Sequence, residues 1–299
     1  FSEYKKYVTH ELEEKDEVKG DAYKELQEMI GLTNAKKVID DAINFFKLQK
    51  EYRLRGIEFK RPCMHMVFTG NPGTAKTSVA RLVARILKDN GILSVGNLYE
   101  VGRADIIGQY VGQTAPLVKS AFNKAKGSVL FIDEAYSLVD DRKGLYGDEA
   151  INTIVQEMEN HREDMIVIFA GYKDEMQEFL DRNPGLNSRI AFHVPFDDYS
   201  ENELLDITKS IAKQTGFRLE SEAENKLLNI YAEARKDRTF GNGRFARNLV
   251  EKAKFHQSNR LVKEDLRFVS NETITTLKAD DFELPEKKGE NKIKLGFGS

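Results

Sequence analysis

One eight-residue stretch restricts the possible folds more than any other part of the chain. Gly70-Asn71-Pro72-Gly73-Thr74-Ala75-Lys76-Thr77 follows a short apolar run, His65–Thr69, and precedes Ser78–Lys88, where Val79, Leu82, Val83, Ile86 and Leu87 recur at helical spacing. Strand, glycine-bearing loop and helix in that order make a phosphate cradle. Backbone N–H groups of the loop converge on phosphate oxygens at the positive end of the helix. Gly70 and Gly73 supply the pliable backbone, Lys76 a point charge for the β- and γ-phosphates, and the Thr77 hydroxyl a ligand for Mg²⁺. Ala75 stands where the pattern has glycine. If that position needs a positive φ, the methyl group costs about 1–2 kcal/mol and weakens nucleotide binding; with a negative φ it is tolerated.

A second element supplies the missing acids. Ser128–Ile132 is an apolar strand that delivers Asp133 and Glu134 at its C-terminal end, where open α/β sheets bind their ligands. Asp133 is expected to hold Mg²⁺ and Glu134 to orient and polarise the attacking water. Taken alone, two acids after a strand are more often a solvated turn or a helix cap; downstream of the phosphate loop, on a separate strand, they complete a site for phosphoryl transfer from ATP.

The strands Leu98–Val101, Ile166–Ala170 and Ile190–Val194 extend the alternation with helical segments. The expected fold is α/β, a five-stranded parallel sheet between helices. Beyond Pro195 the strand signal vanishes, and Glu201–Thr215, Ser221–Lys236 and Arg244–Ser258 carry helical spacing. This predicts a charged lead-in over 1–24, a large nucleotide-binding unit over 25–195, a small helical lid over 196–280 and a polar tail over 281–299.

Composition removes several classes. The 46 basic and 49 acidic residues, net charge −3, leave no basic face that advertises nucleic acid. The single cysteine, Cys63, excludes an intrachain disulfide and suits a reducing compartment, so a cytoplasmic protein is expected. The most apolar runs, such as Met165–Ala170, are too short to cross a bilayer, and no membrane partner is expected. None of the five histidines has metal-ligand spacing.

Several segments together resemble one family. Gly70–Thr77, the strand end Leu130–Ala135, Tyr110-Val111-Gly112, Ala170-Gly171-Tyr172-Lys173, Asn183-Pro184-Gly185 with Ser188-Arg189-Ile190, and Gly241-Asn242-Gly243-Arg244 are similar to the AAA+ group containing the red-type rubisco activase CbbX and stage V sporulation protein K. The resemblance covers about residues 25–280. It implies a P-loop AAA+ module that hydrolyses ATP with Mg²⁺, assembles into a homo-oligomeric, hexameric ring and remodels a protein client.

The resemblance also implies roles. Arg189 matches the finger that reaches the γ-phosphate bound by a neighbouring subunit. Arg244 matches the second-sensor arginine of the lid, while Arg247, one helical turn on, either joins it or pairs with a nearby acid. The usual polar first sensor at the end of the fourth strand is absent, and Tyr172 is its expected substitute. Ile30-Gly31-Leu32 resembles the segment lining the adenine pocket. Tyr110-Val111-Gly112 matches a pore loop whose aromatic side chain grips polypeptide, although from the residues alone it reads as an exposed tyrosine on a turn. Asp140–Gly147 is expected as a second loop facing the same channel. A nucleotide-dependent regulatory switch with little turnover, and a nucleic-acid motor, are the rival functions.

Overall fold

The computed structural model describes residues 21–57, 63–139, 145–237, 240–263 and 269–284. The chain begins with two helices, α1 (Ala22–Glu28) and α2 (Thr33–Leu54), ahead of the first strand. Alternation follows: β1 (His65–Gly70), α3 (Lys76–Asp89), β2 (Leu98–Val101), α4 (Arg103–Ile106), α5 (Thr114–Lys124), β3 (Val129–Ile132), α6 (Leu145–Asn160), β4 (Ile166–Gly171), α7 (Lys173–Asp181), α8 (Pro184–Asn187) and β5 (Ile190–Phe196). The strands form one parallel five-stranded sheet, as the alternation predicts, in the order β2-β3-β4-β1-β5. Both strands that carry the site, β1 and β3, flank β4, so their C-terminal ends open on the same edge of the sheet.

Period-2 alternation divides the core between the two faces. Met66, Phe68, Val129, Phe131, Ile166 and Ile168 pack with α1, α2 and α3. Val67, Leu130, Ile132, Val167 and Phe169 face α5, α6 and α7 instead. Phe68, Phe131 and Phe169 are fully buried, and each contributes roughly 1.5–3 kcal/mol of burial. The three central strands β1, β3 and β4 are thus apolar on both sides, the pattern of a parallel sheet covered by helices.

After β5 the chain turns helical: α9 (Glu201–Gln214), α10 (Ser221–Ala234) and α11 (Asn242–Leu261). Ser200 starts α9 by accepting from the Glu203 N–H, while the Glu203 carboxylate accepts from the Ser200 N–H at 2.7 Å. Leu204, Leu227, Tyr231 and Leu249 from these helices join the same apolar cluster as α1–α3.

Three expectations need correction. Strand structure does not end at Pro195: β6 (Arg218–Leu219) pairs in parallel with β7 (Thr276–Leu277), which follows the short helix α12 (Asn271–Ile274). Two residues per strand are too few for a periodicity signal. Residues 281 and 282 are not a polar tail. Asp281 is buried and accepts from the Arg260 guanidinium at 3.1 and 3.2 Å, and Phe282 is wholly buried. A single buried aromatic among charged neighbours gives sequence reasoning little to see. Finally, α6 begins at Leu145, so the last residues of the expected second loop, 145–147, are helical; residues 140–144 lie outside the described residues, as do lead-in residues 1–20 and tail residues 285–299.

Candidate functional site

Chain order brings the phosphate loop between β1 and α3 directly beneath the start of α11. Gly73 has φ +74, and a Cβ there would stand 2.1 Å from the Gly241 carbonyl oxygen, so only glycine lets the two segments touch. The contact is closed by a hydrogen bond from the Gly243 N–H to the Gly73 carbonyl at 3.0 Å. Thr74 is buried under the loop and donates its hydroxyl to the Asn71 carbonyl at 2.8 Å. Helix α3 has no side-chain cap at its N-terminus, which suits a terminus whose N–H groups are meant for an anion.

Ala75 adopts φ 70, ψ 19, the left-handed region. The first of the two sequence alternatives therefore holds, and the methyl group strains the folded loop by about 1–2 kcal/mol. Ala75→Gly removes that strain but loosens the unfolded chain by roughly 0.5–1 kcal/mol. A net gain near 1 kcal/mol should raise the melting midpoint by about 2–4 °C in a thermal unfolding scan, with ADP affinity equal or tighter. A lowered midpoint would count against strain at this position.

Two cavities meet at the loop. The smaller, about 220 Å³, is lined by Lys76, Thr77, Asp133, Glu134, Tyr172 and Arg244 together with loop residues Gly70, Pro72, Gly73 and Ala75. The larger, about 620 Å³, continues from Gly73, Ala75 and Ser78 past Arg244 to Ile30 and Arg247. Gly31 and Leu32 do not line it; both have positive φ and form the turn that presents Ile30. Sequence reasoning missed other parts of its wall: Glu25 and Glu28 from α1, Met29 just after it, Tyr199 after β5, and Ile207, Ser210, Ile211 and Gln214 from α9. Position relative to the C-terminal end of β5 was the available signal for Tyr199; the helical residues carried none.

The smaller cavity is electrically mixed. The Lys76 ammonium donates to the Gly70 and Asn71 carbonyls at 2.7 and 2.8 Å. Burial pushes its pKa below the ordinary lysine value, with Asp133 opposing that shift and Arg244 adding to it. An anion placed between Lys76 and Arg244 would satisfy both cations. Asp133 Oδ1 accepts from the Glu134 N–H at 3.0 Å, and Glu134 itself has φ 47, a strained backbone for a non-glycine residue. That turn aims the Glu134 side chain away from the strand and leaves it exposed in the cavity wall. Tyr172 stands at the N-terminus of α7 with its ring 6.0 Å from Tyr136. Burial, then the charge of Glu134, pushes the Tyr136 phenol up to about 12, so it stays neutral beside the acids.

Two sets of expected residues lie elsewhere. Arg189 lines neither cavity; its Nη1 donates to the Gly185 carbonyl at 2.8 Å and its Nε lies 3.5 Å from Glu159. Tyr110 and Val111 are 68% and 87% exposed at the tip of a turn that Gly112, at φ +81, reverses. The base of the turn is held by Thr114, whose buried hydroxyl accepts from the Gly108 N–H at 3.1 Å. Among the described residues no cluster of three or more His, Cys, Asp or Glu has metal-binding geometry, and no helix is long and apolar enough to cross a membrane.

Both the sheet unit and the helices after it resemble known proteins. Residues 66–197 match the ATPase family associated with various cellular activities (AAA), and residues 200–292 match the AAA lid domain. A CfxQ homolog from Pyropia yezoensis is 41% identical over 85% of this chain and 85% of its own. The chloroplastic ribulose bisphosphate carboxylase/oxygenase activase of Cyanidioschyzon merolae is 40% identical over 85% of this chain and 87% of its own. Among solved structures the FIGL-1 AAA domain in complex with ADP superposes with a TM-score of 0.61 at 20% identity, covering 85% of this chain and 80% of that one, a likeness of fold.

Proposed function

The chain belongs to the AAA ATPases, in the group of CfxQ and CbbX, and hydrolyses ATP; from that premise we propose that it works as a hexameric ring which spends ATP on pulling a protein client through its centre. The observation that carries the reading is the smaller cavity, where Lys76, Thr77, Asp133, Glu134 and Arg244 share one space.

In this reading residues 25–195 form the nucleotide-binding unit and 196–280 the lid. The loop N–H groups and Lys76 bind the β- and γ-phosphates, and the base enters the larger cavity beside Ile30. The donor set suits Mg²⁺: a hydroxyl from Thr77 and a carboxylate from Asp133, with phosphate oxygens and water completing an oxygen shell. Held by Thr77 and Asp133, Mg²⁺ would neutralise charge that develops on the phosphates. Glu134 orients water in line with the bond to the departing ADP and takes its proton. Arg189 cannot serve the cavities of its own subunit, which fits a finger offered to the next one. Tyr172 takes the place of a first sensor at the end of β4, and Arg244, with Arg247 behind it, links the phosphates to the lid.

Client grip is assigned to Tyr110-Val111-Gly112, and the support is the exposure of two apolar side chains on a turn anchored at its base. Ribulose bisphosphate carboxylase/oxygenase is the client to assay first, because the Cyanidioschyzon relative is named as its activase. A cytoplasmic location and a protein rather than nucleic-acid partner fit the single cysteine and the acidic balance. Tyr110→Ala removes the apolar contact and leaves the cavity residues untouched. ATP turnover is expected to stay within about twofold of wild type while client remodelling falls at least tenfold. Full remodelling by the variant would remove threading and put the regulatory switch ahead.

A further inference from the structure

The linker between β5 and α9 carries a carboxylate whose partners come from both sides of the nucleotide site. Asp198 accepts from the Asn71 amide at 3.0 Å through Oδ1 and 2.9 Å through Oδ2. Its Oδ1 also accepts from the Asn242 amide at 2.7 Å. Asn71 belongs to the phosphate loop and Asn242 is the first residue of α11. Asn242 is wholly buried and has φ 47, so its side chain is worth a strained backbone. Its Oδ1 accepts from the Tyr199 N–H at 3.0 Å, and its amide lies 3.4 Å from the Pro72 carbonyl. Every polar atom of this buried side chain is therefore used to join loop, linker and lid helix.

The Asn71 side chain turns out of the phosphate loop onto Asp198. Asn71 lines neither cavity, and its amide has two donors against one carboxylate. Arg244, two residues after Asn242, lines both cavities. Any shift of the loop on phosphate binding moves Asn71, and through Asp198 it moves the residue that sets the start of α11.

We propose that Asp198 is a positioning residue that couples the phosphate loop, through Asn71 and Asn242, to the orientation of the helical lid. The coupling rests on the assignment of residues 70–77 as the phosphate site, and it is separate from direct contact between Arg244 and nucleotide. Its energy lies in charge-assisted hydrogen bonds that no uncharged residue of similar size reproduces. It is reciprocal, so whatever the nucleotide does to the lid, the lid does to nucleotide affinity.

The test exchanges the two groups. Asp198→Asn sets an amide against two amides, and Asn71→Asp sets a carboxylate against a carboxylate; the double variant restores one of each. Spin labels at exposed positions, Lys124→Cys and Lys252→Cys in a Cys63→Ser background, report the distance from the α5 face to the lid with and without ADP in the full chain. Wild type is expected to give a distance distribution that shifts or narrows with ADP. In each single variant that response should vanish and the ADP dissociation constant should rise roughly tenfold, the scale of one charge-assisted bond. The double variant restores the charge-assisted pair between positions 71 and 198 but leaves Asn242 facing an amide, so it should recover the lid response and the affinity in part, above either single variant, which general destabilisation would not allow; Asn71→Asp alone suffices if Asp198→Asn fails to fold. A wild-type response in either folded single variant, or no recovery in the double, overturns the coupling. Absence of ADP binding by wild type would overturn the site assignment and the coupling with it.

Discussion

Lys76→Ala is expected to weaken ATP and ADP binding by a hundredfold or more, while Glu134→Gln leaves ATP bound and lowers turnover by about 10²–10⁴. The two residues line the same cavity, yet the proposed mechanism assigns them to different steps. In the proposed site Lys76 would supply charge to phosphate oxygens in the ground state, and two charge-assisted contacts at roughly 1.5–3 kcal/mol each would account for the loss. Its Nζ already donates to two loop carbonyls, so the alanine variant also frees Gly70 and Asn71 and requires a circular-dichroism check of folding. Glu134 is exposed at the cavity wall on a left-handed turn held by Asp133. The amide preserves that turn and removes only the proton acceptor. Calorimetric titration with ATP and a phosphate-release assay on both variants separate the roles; equal loss of binding in the two would refute them.

Arg189→Ala should lower turnover by about 10³–10⁵ while nucleotide affinity stays unchanged. The reason is positional. In its own subunit the guanidinium packs against Gly185 and Glu159 on the side of α6 and α8, away from both cavities. Removing a partly exposed arginine of this kind costs little stability, so the folded protein remains available for measurement. A site completed by a second subunit also makes specific activity rise with protein concentration. Sedimentation and ATPase assays across a dilution series test both statements together. Activity that persists unchanged down to a demonstrated monomer rejects a shared site.

The elements that were legible in the chain are those with long, regular apolar patterns. The strands β1, β2, β3, β4 and β5 each present four or more consecutive residues with a clear β pattern, and three lid helices repeat at helical spacing. The phosphate loop and the acid pair were legible because their chemistry demands particular residues at particular intervals. What escaped were short or solitary features: the two-residue strands Arg218–Leu219 and Thr276–Leu277, and Phe282, whose burial depends on where α10 and α11 leave a gap. The sequence expects Ile30-Gly31-Leu32 to line the pocket as a segment, but its backbone turns so that only Ile30 faces the cavity.

Ala75 marks the boundary between the two kinds of information. Its identity was plain from the sequence, but its φ of 70 was not, because a dihedral angle is set by what the loop must clear, here the Gly241–Gly243 segment pressed onto Gly73. Sequence alone determined that a glycine-bearing loop joins a strand to a helix, that two acids end another strand, and that the sheet is parallel and five-stranded, since backbone geometry acts over a few neighbouring residues. Only the tertiary structure decided that Asn71, Asp198 and Asn242 meet, that Arg244 closes both cavities and that Arg189 faces away from them. Those contacts join residues far apart in the chain, and their distances depend on how the lid packs on the sheet, which no local pattern encodes.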